Sequence, residues 1–256
     1  MLKILNITKD FGGLRALNRV DLEVYAGEIV GLIGPNGAGK TTLFNIITGV
    51  QRPNSGTVLF RGEDITNTKP HVVAAKGIIR TFQATIVFSD FSVMQNILMG
   101  FHLKVGRGVL QNLVSSFRSR KREDPIIHDA LEIIEFLGLD LIRNEVVKNL
   151  PHGYQKLVGI AVALAADPKL LLLDEPVAGM NAVETMKTMD HIRNIVKEKK
   201  ISVVLVEHDM KAVMNVCERI IVLNFGRKIA EGPPNMIVKN RQVIEAYLGM
   251  DSVTTE

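Results

Sequence analysis

The stretch 34–42, Gly34-Pro35-Asn36-Gly37-Ala38-Gly39-Lys40-Thr41-Thr42, carries the strongest chemical signal in the chain. A glycine, four residues and then Gly-Lys-Thr follow the apolar run 28–34 and lead into the helical pattern 40–50, as a phosphate-binding loop requires. Glycines let backbone N–H groups turn inward around phosphate oxygens, and the start of the following helix adds positive potential. Lys40 would reach the β- and γ-phosphates of a nucleotide, and Thr41 would hold Mg²⁺. A second signal is the apolar run 170–173, which ends on Asp174 and Glu175. Two acids at the end of a buried strand are costly unless they meet a cation or a reacting group. Asp174 suits outer coordination of Mg²⁺, and Glu175 suits a general base, or at least a polariser, for water attacking the γ-phosphate. Another apolar run ends on Glu207-His208-Asp209. Taken alone, His208 reads as a strand-end histidine without a catalytic role; in one sheet with Lys40 and Glu175 it can reach the γ-phosphate. Gln83, bland by itself, follows a short β-like run and would give its amide oxygen to Mg²⁺ or orient water.

These residues need a framework, and the chain alternates short β-like runs with helical patterns. That predicts an α/β fold with a substantially parallel sheet. Strands are expected at 2–8 and 20–27, joined through Gly12-Gly13, then at 28–34 and 56–65. Helical patterns at 92–103, 108–117 and 126–139 read as an insertion, after which strand patterns return at 169–176, 201–209 and 219–232. Pro233-Pro234 is expected to break the chain before a short terminal helix at 241–249. No internal repeat or low-complexity segment interrupts this order.

With 256 residues, 46% apolar and 23% charged, the chain has the profile of a globular protein that buries a core, not of a disordered one. The net charge of +4 fits contact with anions and selects among nucleotide, phospholipid and nucleic acid no further. The lone Cys217 excludes an internal disulfide and suits a reducing compartment. The first ten residues read as no signal peptide, and no apolar run reaches the roughly 18 residues of a spanning helix. The stretch 106–124 places Val109, Leu110, Leu113, Val114 and Phe117 on one helical face, followed by Arg118, Arg120, Lys121 and Arg122. It reads either as an amphipathic piece at an anionic leaflet or, more economically, as an ordinary packed helix with a solvated basic end.

The phosphate loop 34–42, Gln83, the turn 150–155, Asp174-Glu175, 178–181 and His208 stand in an order and spacing that resembles an ABC-type ATPase domain over essentially the whole chain. Details such as GIIRTFQ, GMNAVET, VEHDM, GRKIAEG and VIEAYLG are similar to the ATP-binding subunits of branched-chain amino-acid importers, the LivG type. The resemblance implies a P-loop NTPase fold with a parallel-sheet core, an antiparallel β subdomain and a helical subdomain. It implies one ABC domain over 1–256, with 1–90 and 160–256 forming the core plus β subdomain and about 91–159 the helical subdomain. It further implies that Phe11 stacks on adenine, that Gln83 transmits motion to membrane subunits, and that 150–154, with His152, Gly153 and Tyr154, caps ATP held by a second, facing ATPase domain. The stretch 178–181 corresponds to the loop crossing between the two domains, and His208 to the switch histidine at the γ-phosphate.

The implied cofactors are ATP and Mg²⁺. The implied partners are transmembrane permease subunits and a second ATPase subunit, identical or different, at the cytoplasmic face of the inner membrane; neither the transported substrate nor nucleic acid would be bound. Phe88 and Phe91, after Gln83, suit docking of a protein helix or a place in the core. An ATPase of a lipid or lipopolysaccharide exporter, and a soluble ABC protein acting on ribosomes or DNA, are the alternative readings. Two departures from the family pattern bear on the site. Pro151 stands where a serine is usual and has neither a hydroxyl nor an N–H for a partner's γ-phosphate. Asn181 stands where Asp is common, which removes an ionic contact there.

Overall fold

The computed structural model describes residues 1–81, 87–101 and 125–251. Gln83 and the basic stretch 106–124 lie outside the described residues. The chain opens with β1 (Leu2–Phe11) and β2 (Leu14–Val24), then β3 (Ile29–Ile33), α1 (Lys40–Ile47), β4 (Ser55–Phe60), β5 (Glu63–Asp64), α2 (Pro70–Ala75) and β6 (Ile78–Arg80). Next come α3 (Val93–Gly100), α4 (Pro125–Phe136) and α5 (His152–Ala165). The sheet-forming pattern resumes with β7 (Leu170–Asp174), α6 (Ala182–Lys199), β8 (Ser202–Val206), α7 (Met210–Val216), β9 (Arg219–Asn224) and β10 (Arg227–Gly232), and α8 (Pro234–Ile237) and α9 (Arg241–Asp251) follow.

Two sheets result. β2, β1, β4 and β5 form an antiparallel sheet in that order, and β10, β9, β3, β8, β7 and β6 form a second. In the second sheet β9, β3, β8, β7 and β6 are parallel to their neighbours, and only the edge strand β10 pairs antiparallel. Its central strands are buried on both faces, so they read as unbroken apolar runs, and alternate residues enter different cores. Val30, Leu32, Leu170, Leu172, Val204 and Val206 pack on the side of β1, β2 and α1. Ile29, Ile33, Leu171, Leu173, Val203 and Leu205 pack on the side of α3 to α7. Each such buried aliphatic side chain contributes roughly 1.5–3 kcal/mol. The strand register is therefore fixed on both sides, and the residues just beyond the strand ends are held with it.

Several elements differ from the sequence pattern. The first hairpin is longer than its apolar cores, with β1 running to Phe11 and β2 starting at Leu14 around Gly12 at φ 56°. The run 219–232 is not one strand but the hairpin β9–β10, turned at Phe225 and Gly226 with φ 44° and 72°. Positive φ at both turn residues is what a tight hairpin needs. Pro233 and Pro234 start a helix instead of ending structure: Pro233 is the N-cap of α8 and Pro234 its first residue, where a missing N–H costs nothing. α5 is one continuous helix from His152 to Ala165, so a division at 159/160 falls inside it.

Candidate nucleotide site

The loop 34–39 leaves the C-terminal end of β3 and enters α1, and its glycines are there for close approach. A Cβ on Gly34 would lie 2.1 Å from the Leu223 carbonyl oxygen, and one on Gly39 would lie 2.8 Å from that of Ala16. The φ angles of 150°, 77° and 104° at Gly34, Gly37 and Gly39 are ones that other residues rarely adopt. The turn of β9–β10 braces the loop from outside, with Gly226 N–H donating to Ala38 O at 3.0 Å. Lys40 is buried, and its Nζ donates to the carbonyls of Gly34 at 2.6 Å and Pro35 at 3.0 Å. Burial lowers its pKa, and the charges of Glu175 and Asp174 oppose that shift. No side chain caps the N-terminus of α1, and above Gly37 a Cβ would meet nothing within 4 Å. An open cradle, an uncapped helix start and a buried ammonium fit a polyphosphate.

Asp174 is the last residue of β7 and is almost fully buried. Its Oδ2 accepts from Arg80 Nη2 at 2.7 Å, and Arg80 also donates to Asn45 Oδ1 at 2.6 Å. Thr41 is exposed in the first turn of α1, and Thr42 is half-buried beside it. The donor set of an exposed hydroxyl and a buried carboxylate, with phosphate oxygens to complete it, suits a hard cation such as Mg²⁺. Among the described residues no cluster of three or more His, Cys, Asp and Glu side chains is grouped for a metal held by protein alone.

Glu175 follows at the strand end with φ 50°, a left-handed backbone for a residue with a side chain. Its Oε1 lies 2.9 Å from His208 Nε2, and since an ionised carboxylate only accepts, the imidazole donates. His208 stands at the end of β8, where Glu207 is buried beside it. Glu207 Oε1 accepts from Val177 N–H at 2.8 Å and its Oε2 from His208 N–H at 3.2 Å. Burial raises the Glu207 pKa, against the two backbone hydrogen bonds and the charge of Lys156. The carboxylates and the histidine thus meet at neighbouring strand ends of one sheet, and Phe11 is the last residue of β1, at the β1–β2 turn. It is 43% exposed, with Lys9 Nζ 5.0 Å from its ring centroid.

The turn before α5 lies against the segment that follows β7. Pro151 is the N-cap of α5, and His152 and Tyr154 are exposed in its first turn. A Cβ on Gly153 would lie 3.4 Å from the Glu184 carboxyl carbon, and one on Gly179 would lie 3.3 Å from His152 Cδ2. These residues therefore pack on the 178–184 segment. Asn181 caps α6 there, its Oδ1 accepting from the N–H groups of Val183 at 2.9 Å and Glu184 at 3.0 Å. Three residues that the sequence pattern does not single out, Arg80, Lys156 and Glu207, are buried around the site. The one signal for them is a charged residue bordering an apolar run on one side.

A family model described as "ABC transporter" matches residues 17–178, and a second, "Branched-chain amino acid ATP-binding cassette transporter", matches 227–249. The chain belongs to the ABC transporter family of ATP-binding cassettes. It is 38% identical over 249 residues to the high-affinity branched-chain amino acid transport ATP-binding protein LivG of Escherichia coli K12, covering 97% of this chain and 98% of the relative. The corresponding protein BraF of Pseudomonas aeruginosa is 37% identical over 249 residues, with 97% and 98% covered. Among solved structures, the ADP conformation of an ATP-binding cassette of an ABC transporter superposes with a TM-score of 0.85 at 34% identity, covering 97% and 98% of the two chains. A dimeric post-hydrolysis cassette bound to ADP and Pi superposes at 0.74 with 26% identity, covering 91% and 99%. As a member of this family the cassette binds nucleotide, is an ATPase, and serves a transporter with membrane partners. No described helix of the cassette is long and apolar enough to cross a membrane.

Proposed function

We propose that this cassette is the ATP-hydrolysing subunit of an importer for branched-chain amino acids, driving permease subunits from the cytoplasmic face of the inner membrane. The observation that carries the substrate class is the match over 227–249. This segment forms β10, α8 and most of α9, outside the phosphate loop and the acidic strand end, so its likeness does not follow from ATP chemistry shared by all cassettes. The relatives over the whole length point to the same class.

In this reading the loop 34–42 would hold the phosphates of MgATP, and Thr41, Asp174 and Gln83 would serve the Mg²⁺, whose chemistry is to neutralise phosphate charge. Glu175 takes the proton of the attacking water and His208 holds the Glu175 carboxylate in place through their 2.9 Å hydrogen bond. Phe11 stacks on adenine. The exposed turn at 150–154 caps the nucleotide of a second ATPase subunit, identical or different. Pro151 removes one donor there, a loss of about 1.5–3 kcal/mol toward a charged group, and His152 supplies an alternative one. A cleft of about 720 Å³ lined by Val50, Ile79, Phe88, Met99 and Ile160 suits a helix of the membrane partner, beside the stacked rings of Phe88 and Phe91.

The test is reconstitution in vesicles with the permease subunits and substrate-binding protein of a branched-chain amino-acid importer. Leucine, isoleucine or valine should stimulate ATP hydrolysis several-fold and accumulate in the lumen. Stimulation by lipid or lipopolysaccharide instead, with no amino-acid uptake, would replace this reading with an exporter.

A further inference from the structure

We propose that Lys156 is a positioning residue for Glu175, tying the setting of the hydrolytic base to the helix that carries the turn at 150–154. The inference rests on Glu175 being that base. Lys156 is only 8% exposed, a costly place for an ammonium, and its Nζ donates to the main-chain carbonyl of Glu175 at 2.5 Å. Burial lowers its pKa, while Glu207, Glu175 and Asp174 favour its charge. A buried cation among three acids thus spends a hydrogen bond on a peptide oxygen, and that peptide belongs to the one non-glycine site residue, among those described, with a strained, left-handed backbone.

The neighbouring main-chain groups are held as well. Glu175 N–H donates to Val206 O at 2.9 Å, Pro176 has no N–H, and Val177 N–H donates to Glu207 Oε1 at 2.8 Å. Strand β8 and the residue after it hold two of these groups, and α5 holds the third through Lys156. Residues four apart on a helix share a face, and His152 is four before Lys156. That face of α5 meets the 175–179 segment twice, through Lys156 at Glu175 and through His152 at Gly179. A shift of α5 when its first turn engages a partner's nucleotide is therefore delivered to the backbone of the base. The buried charge of Lys156 makes that link a hydrogen bond to a charged donor, stronger than a neutral one.

The full chain is assayed with MgATP per mole of folded protein, comparing wild type, Lys156→Met, Lys156→Arg and Glu175→Gln. Misplacing a catalytic group by about 1 Å costs on the order of 10²-fold in rate. Lys156→Met should lower kcat by that order while KM for ATP stays within about twofold, and Lys156→Arg should recover most of the rate. A purely structural lysine would instead reduce the folded fraction and leave kcat per folded molecule unchanged, which overturns the proposal. If Lys156→Met does not fold, the split is read on Lys156→Gln, where a lower kcat at constant KM supports the link and an unchanged kcat removes it. A silent Lys156→Met beside an inactive Glu175→Gln would overturn the link alone. An active Glu175→Gln would remove the base assignment, and the link with it.

Discussion

Asp174 and Arg80 are both almost fully buried, with side chains 5% and 6% exposed, and they meet at 2.7 Å. The Arg80 guanidinium also lies 5.4 Å from the Phe44 ring centroid, so it is packed as well as paired. Removing one partner of such a pair leaves a charge in low dielectric, at a cost of about 3–5 kcal/mol. Arg80→Met should lower the unfolding free energy of the nucleotide-free chain by that amount, read by urea denaturation; a loss under 1 kcal/mol would contradict the pairing as a stabilising contact. Residues such as Lys40, Thr41, Asp174 and Glu175 are legible in the sequence because their chemistry comes at fixed spacing beside an apolar strand. Arg80, Lys156 and Glu207 are not, because each matters through a contact between elements far apart in the chain. In sequence a lysine inside a helix reads as a solvated face, and only packing against the end of β7 reveals otherwise.

At the scale of elements, α6 shows what apolar spacing misses. Its eighteen residues bury a stripe only from Thr188 onward, at Thr188, Met189, Ile192, Ile195 and Val196, while Val183 and Met186 are exposed, so apolar spacing does not announce where it begins. The start is nonetheless written in Asn181 and Glu184, a reciprocal capping box in which the Asn181 side chain accepts from Glu184 N–H and the Glu184 side chain from Asn181 N–H. Read against a family pattern, Asn181 looks like a lost charge; read against its neighbours, it is a helix cap. Asn181→Ala should cost about 1 kcal/mol, and Asn181→Asp, which keeps the acceptor, should cost little, both measured by thermal unfolding. Equal losses in the two variants would argue against the cap. In β9–β10 the reversal lies in the backbone of Phe225 and Gly226, both at positive φ.

For the whole molecule, a sheet packed on both faces places the phosphate loop, the acidic strand end and His208 along one edge of rigid strands. Pro151, His152 and Tyr154 are exposed at the start of α5, beside the 178–184 segment. The α/β class and the parallel core follow from the unbroken apolar runs, which only a doubly covered sheet can bury. What the runs cannot convey is which strands neighbour one another, and that order brings Asp174, at the end of β7, beside Val206 of β8. In the proposed reading the site is complete only when two ATPase subunits face each other. Glu175→Gln tests this most directly, with hydrolysis and assembly followed together in the presence of MgATP. Loss of a general base lowers turnover by about 10²–10⁴-fold, so this variant should bind ATP, turn over slowly by that factor and accumulate as an ATP-dependent dimer. Wild-type turnover by a chain that stays monomeric with ATP bound would contradict the account.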